Sequence, residues 1–362
     1  MDKKLSIIYA FRNRDVERVQ LSMESLHAQK FQNFEVVFVD YGSEAETAAK
    51  VQKILKKFEF ARYLYLQASH KLWNKSRALN YGIKNSETSN IFIADVDLLF
   101  SPKATEFLER KISNNSFCLF SMAYLDKQTS REVSNSRNFE KFNFERTGTI
   151  NGMILASKEV FYEVSGYDEF YHFYGSEDVD LYARLKNAGY REVITNEIYF
   201  YHNWHQSFQS SEQDKLTETP RLSNAMRINE QHYHDSITNG ILKPSGQNNW
   251  GENFEKETAE ILSSPDAVIE LENIAASVEH FLNEGIKFYE DKVIEVRISE
   301  SDYYQTLKYK IKKNLGKQSQ TYITLKEVND LILKKIIFKY RNHNYSYKIT
   351  PDLKTIIFKI AL

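Results

Sequence analysis

The chain is predicted to be an α/β protein built on a mostly parallel sheet flanked by helices. Three observations carry the prediction: strand-length apolar runs, a helix-patterned segment between the first two, and polar residues where the runs stop. The runs are LSIIYAF (5–11), FEVVFVD (34–40) and NIFIADVD (90–97), each rich in β-branched or aromatic residues. Between the first two, DVERVQLSMESLHAQKF spaces Val16, Val19, Leu21, Met23 and Leu26 so that they suit one buried helical face. Strands alternating with helices form βαβ units, and such sheets take ligands beyond the carboxyl ends of their strands. FRNR follows the first run, DYGS ends the second and DVD closes the third, so three strand ends bring polar groups to one edge.

At 362 residues the chain has room for a catalytic domain and an appended unit. We expect a catalytic domain over 1–220, a loop-rich connector over 221–253 and a mainly helical, basic accessory region over 254–362. In that last region AVIELENIAASVEHFLNEG (267–285) reads as a long helix with Gly285 as its C-cap. A hydrophobic fraction of 42% predicts a packed core rather than disorder. Cys118 is the sole cysteine, which excludes an intrachain disulfide and a cysteine-rich metal site. No apolar run has the length of a signal core or a spanning helix, so a cytoplasmic protein is expected. The net charge of -1 conceals an asymmetry, because residues 303–362 hold 13 Lys+Arg against 3 Asp+Glu. A basic tail on an acidic body is suited to anionic surfaces, or is simply a solvated lysine face. LKEVNDLILKKIIFKYRN (325–342) has the pattern of an interfacial helix, a pattern that a buried helix shares. Nucleic acid is not an expected partner.

Two carboxylates, Asp95 and Asp97, stand in an otherwise apolar run. In an extended segment they would share a side, placed to hold a hard divalent cation directly or through water. A lone DxD also occurs as an ordinary turn. The stretch GYDEFYHFYGSEDVDLYARLKNAGY (166–190) is more informative. Val179, Tyr182, Leu185 and Ala188 fit a helix with Ser176 as N-cap, which places Glu177, Asp178 and Asp180 in its first turn. Acids there offset the helix dipole, yet Tyr171, His172, Phe173, Tyr174 and Gly175 before them make an aromatic-walled acidic pocket. Aromatics stack on sugars, and a neighbouring carboxylate can act as general base toward a hydroxyl. YFYHNWH (199–205) then supplies His202 and His205, either structural imidazoles or the completion of a metal site.

Taken in order, AFRNR, VVFVDYGS, WNKSRALNYG, ADVD, INGMILASKEVF, GYDEFYHFYGSEDVDL and YFYHNWH resemble the GT-A nucleotide-sugar glycosyltransferases, glycosyltransferase family 2 above all. The set is also similar to the β-1,4-galactosyltransferase, chondroitin polymerase and polypeptide N-acetylgalactosaminyltransferase groups. The resemblance implies a GT-A (Rossmann-like) fold, a UDP-sugar donor, a glycan acceptor and a divalent metal, Mn2+ or Mg2+. It implies diphosphate contacts from Arg12 and Arg14, a base or ribose contact from Asp40, and donor-side roles for Trp73, Asn74, Arg77 and Asn80. Tyr41 stands where many relatives carry a second Asp. The resemblance further implies that Asp97 binds metal, that Asp95 supports the ribose and the hydrated metal, and that His202 is the later ligand with His205 as its substitute. Asp178 takes the place of the inverting members' base with Glu177 beside it, and Tyr174, with His172 and Gly175, lies on the acceptor side. The expected reaction moves a hexose or N-acetylhexosamine, with galactose or N-acetylgalactosamine favoured. A sugar- or nucleotide-binding module without turnover is the alternative on the same fold. Nucleotidyl transfer fits less well, because no glycine-rich phosphate loop lies near the N-terminus.

Overall fold

The computed structural model describes residues 3–140, 142–149, 152–206, 214–254, 260–317 and 320–362. The chain divides into two compact units. The first comprises Met1–Ser69, Trp73–Ser207 and Met226–Asn253; the second comprises His70–Leu72, Phe208–Ala225 and Phe254–Leu362.

In chain order the first unit contains β1 (Leu5–Phe11), α1 (Val16–His27), β2 (Phe34–Asp40), α2 (Ala45–Leu55), β3 (Ala61–Tyr65), α3 (Lys75–Asn85), β4 (Asn90–Ala94) and β5 (Leu98–Phe100). It continues with α4 (Ala104–Arg110), β6 (Ser116–Tyr124), α5 (Lys127–Ser136), β7 (Arg146–Gly148), β8 (Ile154–Ser157), α6 (Lys158–Glu163), α7 (Glu177–Asn187), β9 (Arg191–His202) and α8 (Ala225–Thr238). Among the described residues the strands form one sheet in the order β3, β2, β1, β4, β8, β6, β9, β5, with β7 paired to β6. β1 to β4 are parallel, Ile7 lying opposite Val36 on one side and Phe92 on the other. Beyond β4 the sheet is mixed, because β8 runs antiparallel to β4 and β6, and β5 antiparallel to β9. The chain steps outward from β1 to β3 and then crosses back to β4. The carboxyl ends of β1 and β4 therefore flank a topological switch point, where open α/β sheets bind ligands.

Local chemistry explains these elements. All seven residues of β2 are buried, as a strand flanked by β1 and β3 and covered on both faces requires. α1 buries Val19, Leu21, Met23 and Leu26 and is capped by Asp15, whose carboxylate accepts from Glu17 N at 3.0 Å. The turn after β2 needs Gly42: its φ is +72°, and a Cβ there would lie 2.2 Å from the Ser69 nitrogen.

α7 is pinned by Arg184, which is 1% exposed. Its Nε donates to Asp180 Oδ2 at 2.8 Å, and its Nη1 donates to the carbonyls of Val164 (2.9 Å) and Gly166 (2.8 Å). Arg184→Ala is expected to cost about 3–5 kcal/mol by stranding Asp180, read as a lower urea midpoint with an unchanged slope.

The second unit holds β10 (Ala267–Glu272), β11 (Val293–Ser299), β12 (Tyr345–Ile349) and β13 (Thr355–Ala361) in the order β10, β11, β13, β12, together with helices Ala275–Asn283, Leu307–Asn314 and Leu325–Lys335. The four-stranded sheet adds to the expectation of a mainly helical region. AVIELE alternates half-buried and exposed residues along an edge strand, the helix ends at Asn283, and Gly285 opens a 3-10 turn rather than capping a helix. Leu325, Val328, Ile332, Leu333, Ile336 and Ile337 are all buried, so of the two readings of this segment, interfacial or buried, its apolar face takes the buried one. The stretch read as a loop-rich connector contains α8, whose few apolar residues hide it from hydrophobic patterning. Among the described residues no helix is long and apolar enough to cross a membrane.

Candidate active site

The ADVD segment is a turn rather than the end of a straight strand. Leu98 N donates to the Asp95 carbonyl at 3.1 Å, closing a turn between β4 and β5. The two carboxylates consequently part company. Asp97 meets the end of β9 and the segment after it: His202 Nε2 lies 3.7 Å and His205 Nε2, three residues beyond the strand, 3.0 Å from its Oδ2. These three side chains offer ligand atoms within 4.8 Å of one another. Asp95 stands outside that group, its Oδ1 paired with Lys75 Nζ at 2.8 Å. The candidate ligand group is thus one aspartate with two imidazoles, and Asp95, expected to support the ribose and the hydrated metal, lies beside it in sequence but pairs with Lys75.

The donor set fits a divalent cation. Asp97 Oδ1 and Asn203 Oδ1 are buried and have no hydrogen-bond partner among the described residues, although Asn203 N donates to the Asp97 carbonyl at 2.9 Å. A buried orphan oxygen is costly unless something absent from the chain satisfies it. Burial pushes the Asp97 carboxyl up, but the His205 hydrogen bond and the two imidazoles outweigh it and hold the group ionised. Burial holds His202 below the usual imidazole range, against the pull of Asp97, so it stays neutral as a ligand must be. A cavity of about 320 Å³ borders His205 and is lined by Asp15, Arg18, Lys127, Arg131 and Trp204 among others.

Lys75 links Asp95 to the acids of α7. Besides Asp95 it reaches Glu177 Oε1 at 3.6 Å. Burial would lower the Lys75 pKa, but Asp95, Glu177 and Asp178 together raise it, so the ammonium is retained. Burial, opposed by Lys75 and reinforced by Asp178, lifts Glu177 above the usual carboxyl range. Asp178 Oδ1 accepts from Val179 N at 2.8 Å. Ser176 occupies the N-cap position without the expected cap bond, because its φ of +70° turns the side chain away.

The loop ahead of α7 is strained and heavily braced. Phe173, Gly175 and Ser176 have φ of 65°, 102° and 70°, and each non-glycine residue in that region costs roughly 1–3 kcal/mol. Asn74 Nδ2 donates to the Glu169 carbonyl at 2.7 Å and Asn80 Nδ2 to the Tyr167 carbonyl at 2.9 Å, while Asn80 Oδ1 accepts from Tyr167 N at 2.8 Å. Arg77 Nε lies 3.4 Å from Glu169 Oε2. Asn229 of α8 donates to the carbonyls of His172 (3.1 Å) and Tyr174 (3.0 Å). Asn74, Arg77 and Asn80, expected on the donor side, also brace the acid-bearing loop. His172 is also turned inward, its Nδ1 2.8 Å from the Phe170 carbonyl, whereas Tyr174 is 69% exposed.

Asp40 is held in a similar way. It is fully buried, with Oδ1 accepting from Ser43 N at 2.7 Å and Oδ2 from Tyr63 OH at 2.8 Å. These bonds shape the turn after β2. Arg12 donates to the Ser69 carbonyl at 3.0 Å and lies 5.9 Å from the Tyr41 ring centroid, Trp73 stands edge-on to Tyr41 at 5.6 Å, and Arg14 is exposed. Ile150 and Asn151 of the INGM motif lie outside the described residues. Sequence reasoning missed Lys75, Arg18 and Asn229. The first two look like solvated cations, and only the fold brings Asn229 to the loop.

The switch point, the acid-imidazole group and the acidic helix start lie in the part of the chain that matches glycosyltransferase families. Residues 6–167 match the family described as glycosyl transferase family 2, and residues 131–206 match the N-terminal domain of galactosyltransferase. The chain is a glycosyltransferase, and the part of it that matches is similar to glycosyl transferase family 2. Similar solved structures include the mannosyltransferase PcManGT from Pyrobaculum calidifontis in complex with GDP-Man and Mn2+, at 12% identity and TM-score 0.43, covering 67% of this chain and 72% of that one. TarS 1–349 of S. aureus in complex with UDP is 15% identical with TM-score 0.45, covering 79% and 74%. GalNAc-T7 with UDP, GalNAc and Mn2+ is 11% identical with TM-score 0.45, covering 64% and 48%. No curated protein matched the chain.

Proposed function

We propose that the chain is a metal-dependent, inverting glycosyltransferase that moves a hexose or N-acetylhexosamine from a UDP-sugar to a glycan hydroxyl. The observation that carries this reading is the Asp97, His202 and His205 group, with the Asp95–Lys75–Glu177 ion pairs leading from the same turn to the start of α7. Asp97, His202 and His205 would hold the cation, and two imidazoles with one carboxylate suit Mn2+ better than Mg2+. When bound, the ion supplies positive charge to the departing diphosphate. Arg12 supplies a second cation at the end of β1, Trp73 and Tyr174 offer aromatic faces to sugars, and Asp178 accepts the proton of the attacking hydroxyl. The match of residues 131–206 to a galactosyltransferase domain supports galactose or N-acetylgalactosamine as the transferred sugar. We assign catalysis to residues 1–220 together with α8, and place the enzyme at the cytoplasmic face, where the basic C-terminal region meets a polymeric or membrane-linked acceptor.

The test is metal-dependent release of UDP from UDP-galactose, UDP-N-acetylgalactosamine, UDP-glucose and UDP-N-acetylglucosamine. Release from a galacto-configured donor with Mn2+ is expected, and NMR of the product should show an inverted anomeric centre. UDP binding without release from any donor would favour the inactive module. Lys75→Met is expected to lower release about 10²-fold with the Mn2+ constant unchanged, because Lys75 orders the carboxylates and does not touch the ion. Lys75→Arg should recover part of that loss.

A further inference from the structure

The second unit displays an apolar surface on a helix that contributes almost nothing to its core. Helix Leu307–Asn314 begins at Thr306, whose hydroxyl accepts from Tyr309 N at 3.1 Å. Tyr309 is 4% exposed and lies in ring contact with Tyr303 (5.8 Å), Tyr304 (5.5 Å) and Tyr322 (5.1 Å), which fastens one side of the helix. Leu307, Ile311 and Leu315 recur every fourth residue and so share the opposite side. They are 76%, 58% and 65% exposed. Lys308, Lys310, Lys312, Lys313 and Lys317 surround them, and no acidic residue occurs between 303 and 326.

We propose that the face of Leu307, Ile311 and Leu315 is a docking surface for an anionic lipid bilayer. The three apolar side chains enter the boundary between headgroups and acyl chains, while the lysines bury their stems and place their ammonium groups on lipid phosphates. Charge complementarity selects this occupant. A nucleic acid or an acidic glycan would use the lysines and leave the apolar stripe wet. Two-fold contact with a second copy would bring five lysines from each chain together with no acid within the segment 303–326 to balance them. The surface is independent of the glycosyltransferase reading.

Vesicle flotation of the full chain tests it, using phosphatidylcholine alone and phosphatidylcholine mixed with phosphatidylglycerol. The wild type is expected to float with the mixed vesicles and remain behind with the neutral ones. The triple variant Leu307→Asn, Ile311→Asn, Leu315→Asn is expected to bind mixed vesicles at least ~10-fold more weakly. A second variant, with Lys308, Lys310, Lys312 and Lys313 each changed to Gln, should lose the preference for anionic lipid. All three side chains of the first variant are exposed, so both variants should match the wild type in thermal midpoint and in lipid-free UDP-sugar hydrolysis. That hydrolysis separates failure of docking from failure of the catalytic reading. A wild type that ignores mixed vesicles, or a triple variant that floats with it, overturns the proposal. A wild-type dimer that the triple variant converts to monomer, with no flotation by either, assigns the face to a second copy and overturns it equally.

Discussion

Asp178→Asn is expected to lower sugar transfer about 10²- to 10⁴-fold while leaving the affinity for UDP within a few-fold of wild type. Asparagine keeps the shape and the backbone hydrogen bond to Val179 N, but it cannot take up the proton of the attacking hydroxyl. Neither neighbour can substitute for it. Glu177 has its carboxyl raised by burial and lies 3.6 Å from Lys75, and Asp180 is committed to Arg184. Glu177→Gln should therefore cost less than Asp178→Asn. Single-turnover transfer with saturating donor separates the chemical step from binding. Equal turnover by Asp178→Asn and wild type would remove Asp178 from the role of base.

Asp97→Asn is expected to weaken Mn2+ binding by more than the ~10- to 100-fold that loss of an outer-shell partner costs, and transfer should fall with it. Asp97 is the sole carboxylate in the group with His202 and His205. An amide there keeps a carbonyl oxygen but forfeits the charge that pairs with both imidazoles. Raising Mn2+ should restore part of the activity of this variant and none of that of Asp178→Asn, so the two losses differ in kind. His202→Ala and His205→Ala should each weaken the ion less than Asp97→Asn.

The parallel half of the sheet was legible because its strands and helices follow elementary periodicities. Val19, Leu21, Met23 and Leu26 are buried on α1 as their spacing implies. The strand ends that carry Arg12, Asp40 and Asp95 do converge on the switch point. The alternation rule failed at Asp95 and Asp97, because it assumes extended backbone and the chain turns between them. The bracing of the acid-bearing loop by Asn74, Arg77 and Asn80 was hidden for another reason: a motif records which residues a site needs, but not which of them hold its loops. Lys75 sits in the first turn of a helix, where a lysine ordinarily faces water, and only the packing of α7 against it reveals the bridge. In the second unit the same amphipathic pattern served two ends. At 325–337 it is a buried face, whereas at 307–315 a single buried tyrosine leaves the apolar stripe outside.

Calorimetric titration of UDP into the full chain, with Mn2+ and then with chelator, tests the coupling between metal and nucleotide most directly. Binding of UDP only in the presence of Mn2+, retained by Asp178→Asn and abolished in Asp97→Asn, is the predicted result. UDP binding of equal strength in chelator, or in Asp97→Asn with Mn2+, would contradict it.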